Sequence, residues 1–351
     1  MRLVVIGNPG SNRVGFLNEA LQRYGQPDAV LVPWRELIEG RTELSAHVQP
    51  GDLVRIESLG RDAAVEAALV GVGYVAERGE LFFPARWYAG FCRVLAQLAA
   101  TPCHFTSAPC EIITLFDKRA TQQRFAEAGL TIPRSLGAHG SLPELAEAMS
   151  TLGVRQAFVK LAHGSSASGA LAIRTDGKGR WKGYTTVEQV GGTLFNSRRI
   201  REIESTDALD SLLCALAPHT LHAEEWLPKA SLQNSAFDLR ALVIGGKLHH
   251  VVARLSQSPM TNLHLLNKRA DAATVRERVG SAAWDALTEL AERAAQCFPK
   301  CLHLGLDVMW LPGFRKLALL EAKAFGDLLP GTLHKGKTTY EAQLEALGFP
   351  C

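Results

Sequence analysis

The sequence lacks the features that would place it in a specialised class of protein. Its 351 residues contain no apolar run approaching the length of a membrane span. The 38 Lys and Arg residues nearly balance the 35 Asp and Glu residues, and a net charge of +3 is too small to indicate binding to nucleic acid or to an anionic membrane. With 47% hydrophobic residues and no internal repeat or low-complexity tract, the chain is typical of a globular protein of about two or three domains.

The cysteines exclude several further kinds of site. There are seven, an odd number, and no CxxC pair occurs. Cys297 and Cys301 have helical spacing, but no second ligand pair accompanies them, so a shared metal ion is disfavoured. The chain begins with the strand-like residues 2–6 and not with a signal peptide. We therefore expect reduced thiols in a cytoplasmic protein.

Two common nucleotide-binding motifs are also absent. The first turn, residues 7–12, is not a GxGxxG fingerprint, because its glycine spacing is wrong and Pro9 interrupts it. The loop at residues 163–169 lacks the GK[ST] ending of a Walker loop, and a strand follows it instead of a helix. Its glycines and serines still suit a lid of backbone N–H groups over phosphates, with Lys160 placing a charge on the same anion. The alternative is a flexible hairpin tip with a solvated lysine.

The most informative residues that are present are two acids near the end of the chain. Asp307 and Glu321 each lie in a short apolar segment, and Pro312-Gly313 between them predicts a β-hairpin. A carboxylate within a buried strand is costly unless it is paired or binds a metal ion. Two such carboxylates on adjacent strands suit a hard cation such as Mg²⁺. The alternative is that Glu321 is a surface acid on an edge strand.

The register of this hairpin decides between the two interpretations. A loop at residues 312–315 would pair Asp307 with Leu320 and turn Glu321 to the other side of the sheet. A loop longer by one residue, or one β-bulge, would pair Asp307 directly with Glu321. A shared metal ion requires this second arrangement.

A second hairpin carries three further charges. Gly245-Gly246 predicts its two-residue turn. A regular register then places Asp238 opposite Ala253 and leaves Arg254 on the other side of the sheet from Asp238 and Arg240, unless a bulge intervenes. Arginines in apolar strands need a partner, which is either a phosphate or carboxylate ligand or Asp238 itself.

Two consecutive acids earlier in the chain also lie next to apolar residues. Glu224 and Glu225 precede Trp226 and Leu227, and Pro228 ends regular strand pairing. Such a segment can offer an acid and free backbone groups to the edge of a purine. A surface turn is equally compatible with this pattern.

The order of the predicted elements gives the organisation of the chain. The first hundred or so residues alternate strands and helices, which favours a parallel sheet with helical crossovers. Residues 101–110 are predicted as a linker, and a helix is predicted at about residues 116–128. A strand at 157–161 opens a region of mostly strands and turns that extends to about residue 270, and a helix at 282–298 precedes the acidic hairpin.

Taken in order, these pieces resemble the glutamate-ligase-like branch of the ATP-grasp superfamily over roughly residues 113–345. The motifs that carry the resemblance are Asp117-Lys118-Arg119-Ala120-Thr121, Val159-Lys160 with the glycine–serine loop, Glu224-Glu225-Trp226-Leu227, Asp238-Leu239-Arg240, Thr261-Asn262-Leu263-His264, Gly305-Leu306-Asp307-Val308 and Glu321-Ala322. The resemblance implies an α/β plus α+β chain. A Rossmann-like parallel-sheet domain at residues 1–112 would precede a two-subdomain ATP-grasp fold, with a small subdomain at 113–224 and a large subdomain at 225–351.

The same resemblance implies that the cofactors are ATP and Mg²⁺. The residues implied to bind ATP are Lys118, Lys160, Gly164, Ser165, Ser166, Ser168, Gly169, Glu224, Glu225, Leu227 and Asp238. Asp307 and Glu321 would hold Mg²⁺. Arg240, Arg254 and Asn262 would face the transferred phosphoryl group or the carboxylate of the substrate.

The implied activity is the ligation of a carboxylate to an amine. A substrate carboxylate takes the γ-phosphoryl group of ATP to form an acyl phosphate, and an amine then displaces phosphate. The expected partners are a small acid or peptide and an amine, in a protein that is a monomer or a homodimer and binds neither nucleic acid nor membrane. A phosphotransferase on the same scaffold and a catalytically weak or inactive nucleotide-binding protein remain alternatives.

One residue departs from the family pattern. These enzymes usually have an asparagine two residues after the second acid, as a further Mg²⁺ ligand, and this chain has Lys323. Strand alternation predicts that Lys323 points to the same face as Glu321. An ammonium group cannot ligate a metal ion. Lys323 would therefore replace one cation, bind an anionic substrate, or mark a site that binds nucleotide without catalysis.

Overall fold

In the N-terminal part of the chain, strands and helices alternate and build a parallel sheet. The computed structural model describes residues 2–60, 62–165, 167–326 and 329–350. The strands of the first sheet run in the order β2-β1-β3-β4 and are β1 (Leu3–Gly7), β2 (Val30–Pro33), β3 (Leu53–Ile56) and β4 (His104–Phe105). The helices between them are α1 (Asn12–Arg23), α2 (Trp34–Ile38), α3 (Ala63–Val70) and α4 (Pro84–Ala99). The predicted parallel pairing is confirmed.

The segment predicted as a linker and the helix predicted after it are both corrected by the structure. Residues 101–110 contain β4 and the start of α5 (Pro109–Phe116), which Pro109 begins at a favourable first-turn position. The predicted single helix at 116–128 is instead the end of α5 and a separate helix α6 (Lys118–Glu127). Asp117 separates them because its backbone is extended and its side chain accepts a hydrogen bond from the Arg119 backbone N–H.

The second sheet is antiparallel and has its own core. Its strands run in the order β5-β10-β6-β7-β8-β9 and are β5 (Ser135–Gly137), β6 (Gln156–Leu161), β7 (Leu171–Thr175), β8 (Trp181–Val190), β9 (Thr193–Ile203) and β10 (Leu221–Glu225). Helices α7 (Leu142–Thr151) and α8 (Thr206–Leu216) bury their leucines with this sheet. The prediction of mostly strands and turns up to about residue 270 is confirmed, with α8 as a helix that was not predicted.

The third sheet is also antiparallel and carries the buried charged residues Asp238, Arg240, Arg254 and Asp307. Its main strands run in the order β14-β13-β12-β15-β16, and β11 pairs with β12. These strands are β11 (Ser231–Leu232), β12 (Ser235–Ile244), β13 (Lys247–Ser256), β14 (Lys268–Asp271), β15 (His303–Trp310) and β16 (Leu317–Lys323). Helices α9 (Ala272–Val279) and α10 (Ser281–Gln296) lie between β14 and β15, and α11 (Thr339–Ala346) comes after β16.

The large apolar core joins the first and third sheets. Val4 of β1, Phe91 of α4, Leu306 of β15 and Leu287 of α10 all belong to it and are fully buried. This shared core fixes the third sheet against the N-terminal region, while the second sheet keeps a separate cluster. Among the described residues, no helix is long and apolar enough to cross a membrane.

Candidate functional site

A cavity with an empty volume of about 770 Å³, including its open mouth, lies between the second and third sheets. The second sheet and its loops contribute Phe158, Lys160, Ala170 and Glu224 to its lining. The third sheet and its loops contribute Asp238, Arg254, Met260, Asp307, Met309, Leu320 and Glu321. The lining combines apolar side chains with a few charged ones, as small-molecule pockets commonly do.

A β-bulge in the β12–β13 hairpin turns Arg254 towards this cavity. The pairing of Ile244 with Lys247 across the Gly-Gly turn is confirmed, but the register then shifts by one residue at His249, which the partner strand skips. Beyond the bulge Asp238 pairs with Arg254, so the pairing with Ala253 expected from a regular register is wrong.

A second β-bulge turns Glu321 towards the cavity. In the β15–β16 hairpin the register shifts at Leu320, so that Asp307 pairs directly with Glu321 while Val308 pairs with Leu319. Of the two registers that the sequence left open, this is the one that a shared cation requires. In both hairpins one extra residue moves a charged side chain to the face of the sheet that borders the cavity.

Asp307 is buried between two arginines. It is 4% exposed, and Arg240 Nε donates a hydrogen bond of 2.6 Å to Asp307 Oδ1. Arg254 Nη2 lies 3.1 Å from the same oxygen. The two guanidinium groups therefore hold one carboxylate in a fixed orientation at the base of the cavity.

Asp238 is the second carboxylate of this group. Arg254 Nε donates to Asp238 Oδ1 at 2.7 Å, Lys229 Nζ lies 3.0 Å from Asp238 Oδ2, and the Thr261 hydroxyl donates to Asp238 Oδ2. Burial alone would raise the pKa of Asp238, but Arg254 and Lys229 outweigh it and hold the pKa well below its ordinary range. Asp238 thus anchors two cations, which is the pairing that the sequence left open, and its contact with ATP stays a prediction of the resemblance.

Glu321 lies between two lysines and is more open than Asp307. Lys118 Nζ is 3.2 Å from Glu321 Oε1, and Lys323 Nζ is 2.9 Å from Glu321 Oε2. The Glu321 side chain is 20% exposed. Burial would raise its pKa, but Lys118, Lys323 and Lys160 outweigh this and hold the pKa far below the ordinary value, so the group is a carboxylate. The prediction that Lys323 shares a face with Glu321 is confirmed.

The two lysines nearest the glycine–serine loop differ in their surroundings. Lys118 Nζ also donates to the Gly164 carbonyl, and burial lowers the pKa of Lys118, with Glu321 opposing and Lys323 and Lys160 adding to the shift. Burial alone would likewise lower the pKa of Lys160, but Glu224 and Glu321 outweigh it and raise the pKa. Both ammonium groups border the cavity.

Glu224 is paired within the protein, which bears on its expected contact with adenine. Its carboxylate binds Lys160 and accepts a hydrogen bond of 2.5 Å from Gln122 Nε2. Burial would raise its pKa, but Lys160 and His222 lower it to about 2. Glu225 borders the cavity too, yet its carboxylate faces Arg134 at 2.7 Å. The negative charges of the Glu224 and Glu225 carboxylates are therefore already balanced by cations of the protein.

The glycine–serine loop covers one side of the cavity. Gly164, Ser165 and Ser168 line it, whereas Ser166 lies outside the described residues. Gly169 has φ +64°, and a Cβ there would lie 2.5 Å from Leu161 Cγ, so this end of the loop requires glycine. The Gly169 N–H donates to Asn196 Oδ1 at 3.3 Å. The Asn196 N–H in turn donates to the Gly79 carbonyl at 2.6 Å, which connects the loop to the N-terminal region.

The remaining predicted residues fall around the same cavity, and the sequence missed some of its members. Leu227 and Asn262 line it, and Arg240 lies behind Asp307. Lys229, which lines the cavity and binds Asp238, was not predicted. Lys229 follows Pro228 in an irregular segment, so no periodicity in the sequence marked its orientation.

The charges around the cavity favour an anionic ligand. We define the ionic cluster as Lys118, Lys160, Lys229, Arg240, Arg254, Lys323, Glu224, Asp238, Asp307 and Glu321. Its six cations exceed its four carboxylates by two charges. Arg240 and Lys323 contribute to this excess from behind the lining, and Glu225, which also lines the cavity, is balanced by Arg134 outside the cluster. Phe158, Leu227, Met260 and Met309 add an apolar part to the same cavity, which suits a flat ring. The cavity therefore matches a ligand with an apolar end and a polyanionic end.

The pair Asp307–Glu321 also fits a divalent cation, within limits. Both are carboxylates on adjacent strands, and oxygen donors are what hard cations take. Among the described residues there is no group of three His, Cys, Asp or Glu side chains placed to hold a metal ion. A cation at this pair would therefore need further oxygen ligands from water or from a bound anion, as Mg²⁺ commonly takes from phosphates.

Comparison with known proteins places the whole chain in a known fold. No protein-family model and no curated protein matches the sequence. The ATP-grasp ligase PsnB, in a complex with a phosphomimetic variant of its minimal precursor, Mg and ADP, matches with a TM-score of 0.59 and 15% identity, over 99% of this chain and 98% of that chain.

Two further solved structures match over similar lengths. The D-cycloserine synthetase DcsG has a TM-score of 0.59 and 12% identity, over 99% of this chain and 100% of that chain. The macrocyclase MdnC, bound with precursor peptide MdnA from Microcystis aeruginosa MRC, has a TM-score of 0.57 and 12% identity, with the same coverages. At such identities the similarity establishes the fold alone, and it does so over nearly the entire chain.

Proposed function

Because the chain has the ATP-grasp fold of these ligases, we propose that it is an ATP-dependent ligase that joins a carboxylate to an amine through an acyl phosphate. The observation that carries the proposal is the pair Asp307–Glu321, two ionised carboxylates opposite each other at the base of a cavity rich in cations. In this proposal residues 1–112 are a Rossmann-like domain, and residues 113–224 and 225–351 are the small and large ATP-grasp subdomains.

ATP would lie with its base at the apolar part of the cavity and its phosphates at the ionic cluster. Phe158, Leu227 and Met309 offer the apolar surface, while Lys118 and Lys160 offer ammonium groups to the phosphates. The glycine–serine loop supplies backbone N–H groups on the same side. Asp307 and Glu321 would hold Mg²⁺, which when bound neutralises phosphate charge. The presence of Mg and ADP in the PsnB structure supports this assignment.

The arginines of the third sheet have two tasks in this proposal. Arg240 and Arg254 fix the orientation of Asp307, and Arg254, which lines the cavity, can stabilise charge on the phosphoryl group in transit. A carboxylate oxygen of the substrate attacks the γ-phosphorus, the bond from that phosphorus to the β–γ bridging oxygen breaks, and ADP leaves with the electron pair. Asn262 lines the cavity and would contact the acid.

The second half of the reaction forms the amide. The amine nitrogen attacks the acyl carbon, the carbon–oxygen bond to phosphate breaks, and the amine loses a proton to phosphate or solvent. Enclosure by the glycine–serine loop would exclude water, which would otherwise hydrolyse the acyl phosphate. The substrate acid is a small molecule or a peptide, as is supported by the peptide complex of MdnC and by the small-molecule product named for DcsG.

The test measures ADP release and product mass with a panel of amino acids and acidic peptides, in the presence of ATP and Mg²⁺. We expect ADP release that depends on the acid, and a hydroxamate when hydroxylamine replaces the amine, because only an acyl phosphate gives this product. A stable phosphate ester without hydroxamate would identify a phosphotransferase instead. Glu321→Gln should abolish product formation, and Lys316→Asn, an exposed change on the same hairpin, should not.

A second candidate is a nucleotide-binding protein without ligase activity. It is favoured by the contact of Lys323 with Glu321, which occupies one carboxylate oxygen with an ammonium group. In that case ATP would raise the melting temperature while no acid in the panel stimulated ADP release. The appearance of hydrolysis only in Lys323→Asn would support this second candidate.

A further inference from the structure

The carboxylate of Glu321 contacts two ammonium groups, those of Lys118 and Lys323. The two lysines differ in which other acceptors they contact. Lys118 has a second acceptor in the Gly164 carbonyl and borders the cavity, so it can move to a bound phosphate. Lys323 bonds to Glu321 Oε2 at 2.9 Å and extends from the same strand two residues later. Its side chain is 20% exposed, so it lies at the margin of the cluster. Lys323 is therefore the cation that stays with Glu321 when a ligand enters.

The charges of the cluster limit how many further cations it can accept. The cluster carries an excess of two positive charges before any ligand binds. A nucleoside triphosphate with one divalent cation brings about two negative charges, which balances that excess. A second divalent cation would leave the buried site positive and would lie beside the Lys323 ammonium on one carboxylate, where like charges repel.

We propose that the Lys323 ammonium serves as a fixed cation beside Glu321 in place of a second metal ion, so that the nucleotide-loaded site takes one divalent cation. The inference rests on the proposed function, because it requires a nucleotide in the cavity. Lys323 acts here on charge and position, through Glu321, and performs no bond-making step. Asp307 and Glu321 would hold the single metal ion, which when bound neutralises phosphate charge.

The test counts metal ions without relying on turnover. The full-length protein, in excess over a non-hydrolysable ATP analogue, is titrated with Mn²⁺, and free Mn²⁺ is followed by electron paramagnetic resonance. We expect one bound Mn²⁺ per nucleotide in the wild type. Lys323→Asn replaces the ammonium with an amide oxygen that can ligate, and we expect two bound Mn²⁺ with a spectrum broadened by spin coupling. Lys316→Asn, an exposed lysine of the same hairpin, should remain at one.

A second readout tests the charge directly. Without any metal ion, the wild type should bind the analogue about tenfold more tightly than Lys323→Asn, because the variant loses a charge-assisted contact near the phosphates. Melting temperatures of the unliganded variants confirm that both remain folded. Two Mn²⁺ ions in the wild type, or one in Lys323→Asn, overturns the inference while leaving the proposed function intact. Failure of the wild type to bind nucleotide with or without metal overturns both.

Discussion

Two groups of buried charges in this protein differ in whether they border a cavity. The first, which we call the enclosed cluster, surrounds Glu57 at the end of β3. Arg55 Nε donates to Glu57 Oε1 at 2.7 Å, Tyr340 donates to the same oxygen at 2.9 Å, and Arg13 Nη1 lies 3.3 Å from Oε2. Glu57 is 1% exposed, and Arg55 also stacks on the Tyr340 ring at 5.0 Å.

The ionic cluster at the cavity has the opposite character. The partners of Glu321 there are lysines, whose ammonium groups reorient easily, and the carboxylate keeps a fifth of its side chain exposed. In the enclosed cluster, rigid arginines and a tyrosine fix Glu57 between the first sheet and helix α11. Buried charge therefore has two uses in one chain, of which one holds segments together and the other keeps charge available for a ligand.

The largest predicted effect is on activity, and it distinguishes the ionic cluster from the enclosed cluster. Glu321→Gln should lower ligase turnover by about a thousandfold or more, because it removes charge where the metal ion and phosphates would be held. Stability should also fall, because Lys118 and Lys323 lose the carboxylate between them, but by less than in the enclosed cluster, since a fifth of the Glu321 side chain is exposed. Turnover assays and thermal unfolding measured on the same samples test this, and near-normal turnover would contradict it.

The largest effect on stability should come from the enclosed cluster. Glu57→Gln removes the carboxylate that faces the buried Arg55 guanidinium and the partly exposed Arg13, and should lower the free energy of unfolding by about 3–5 kcal/mol. Nucleotide affinity of the folded fraction should be unchanged. Urea denaturation checks the first outcome. Glu39→Gln, which breaks only surface ion pairs with Arg35 and Arg41, is the control and should cost less than about 0.5 kcal/mol.

Acid should weaken the fold through the enclosed region. Burial, with Arg55 adding to it, lowers the pKa of His303 from 6.5 to about 3, so between these values the unfolded chain binds a proton that the folded protein does not. Burial would raise the pKa of Glu57, but Arg55 and Arg13 lower it from 4.5 to about 2, so stability present above pH 4.5 is lost as the pH falls towards 2.

The titrations of His303 and Glu57 therefore both lower the free energy of unfolding on acidification, by a few kcal/mol in total by about pH 3. His303→Gln should flatten the part of this curve between pH 6.5 and 4.5, whereas the exposed His104→Gln should not. Urea midpoints at a series of pH values measure the effect. A wild-type curve that is flat across this range would be the contrary result.

The smallest predicted effect concerns the loop over the cavity. Asn196→Ala removes the acceptor for the Gly169 N–H and should raise the KM for ATP about threefold with little change in kcat. The exposed Gln189→Ala on the same hairpin is the matched control. A fall in kcat with an unchanged KM would show that Asn196 has another role.

The sequence was informative where a single segment contained its own signal. The apolar strands around Asp307 and Glu321 and the Gly245-Gly246 turn were all predictable from local pattern. Helix α8 had such a signal as well, because Ser205 caps it and its leucines have helical spacing, but the surrounding strands obscured it. The capping box of Thr338 and Glu341 similarly marks α11.

What the sequence did not reveal depends on contacts between distant residues. Tyr340 bonds to Glu57 across 283 positions, and no local pattern connects them. The positions of the bulges at His249 and Leu320 also have no signal in the sequence, because each extra residue resembles an ordinary member of its strand. The bulge at His249 brings Asp238 against Arg254, and the bulge at Leu320 brings Glu321 to the cavity face, where it contacts Lys118 and Lys323. These contacts are a property of the folded sheet.

The bulges at His249 and Leu320 have a consequence for how this gene can change. An in-frame loss of the codon for Leu320 would convert the bulge into regular pairing, with Leu319 still opposite Val308 and Glu321 still opposite Asp307. Loss of the codon for His249 would likewise leave Asp238 opposite Arg254. A homologue with a one-residue gap at either bulge would therefore keep these charged side chains on the face that borders the cavity, so such a gap is no sign of a lost site.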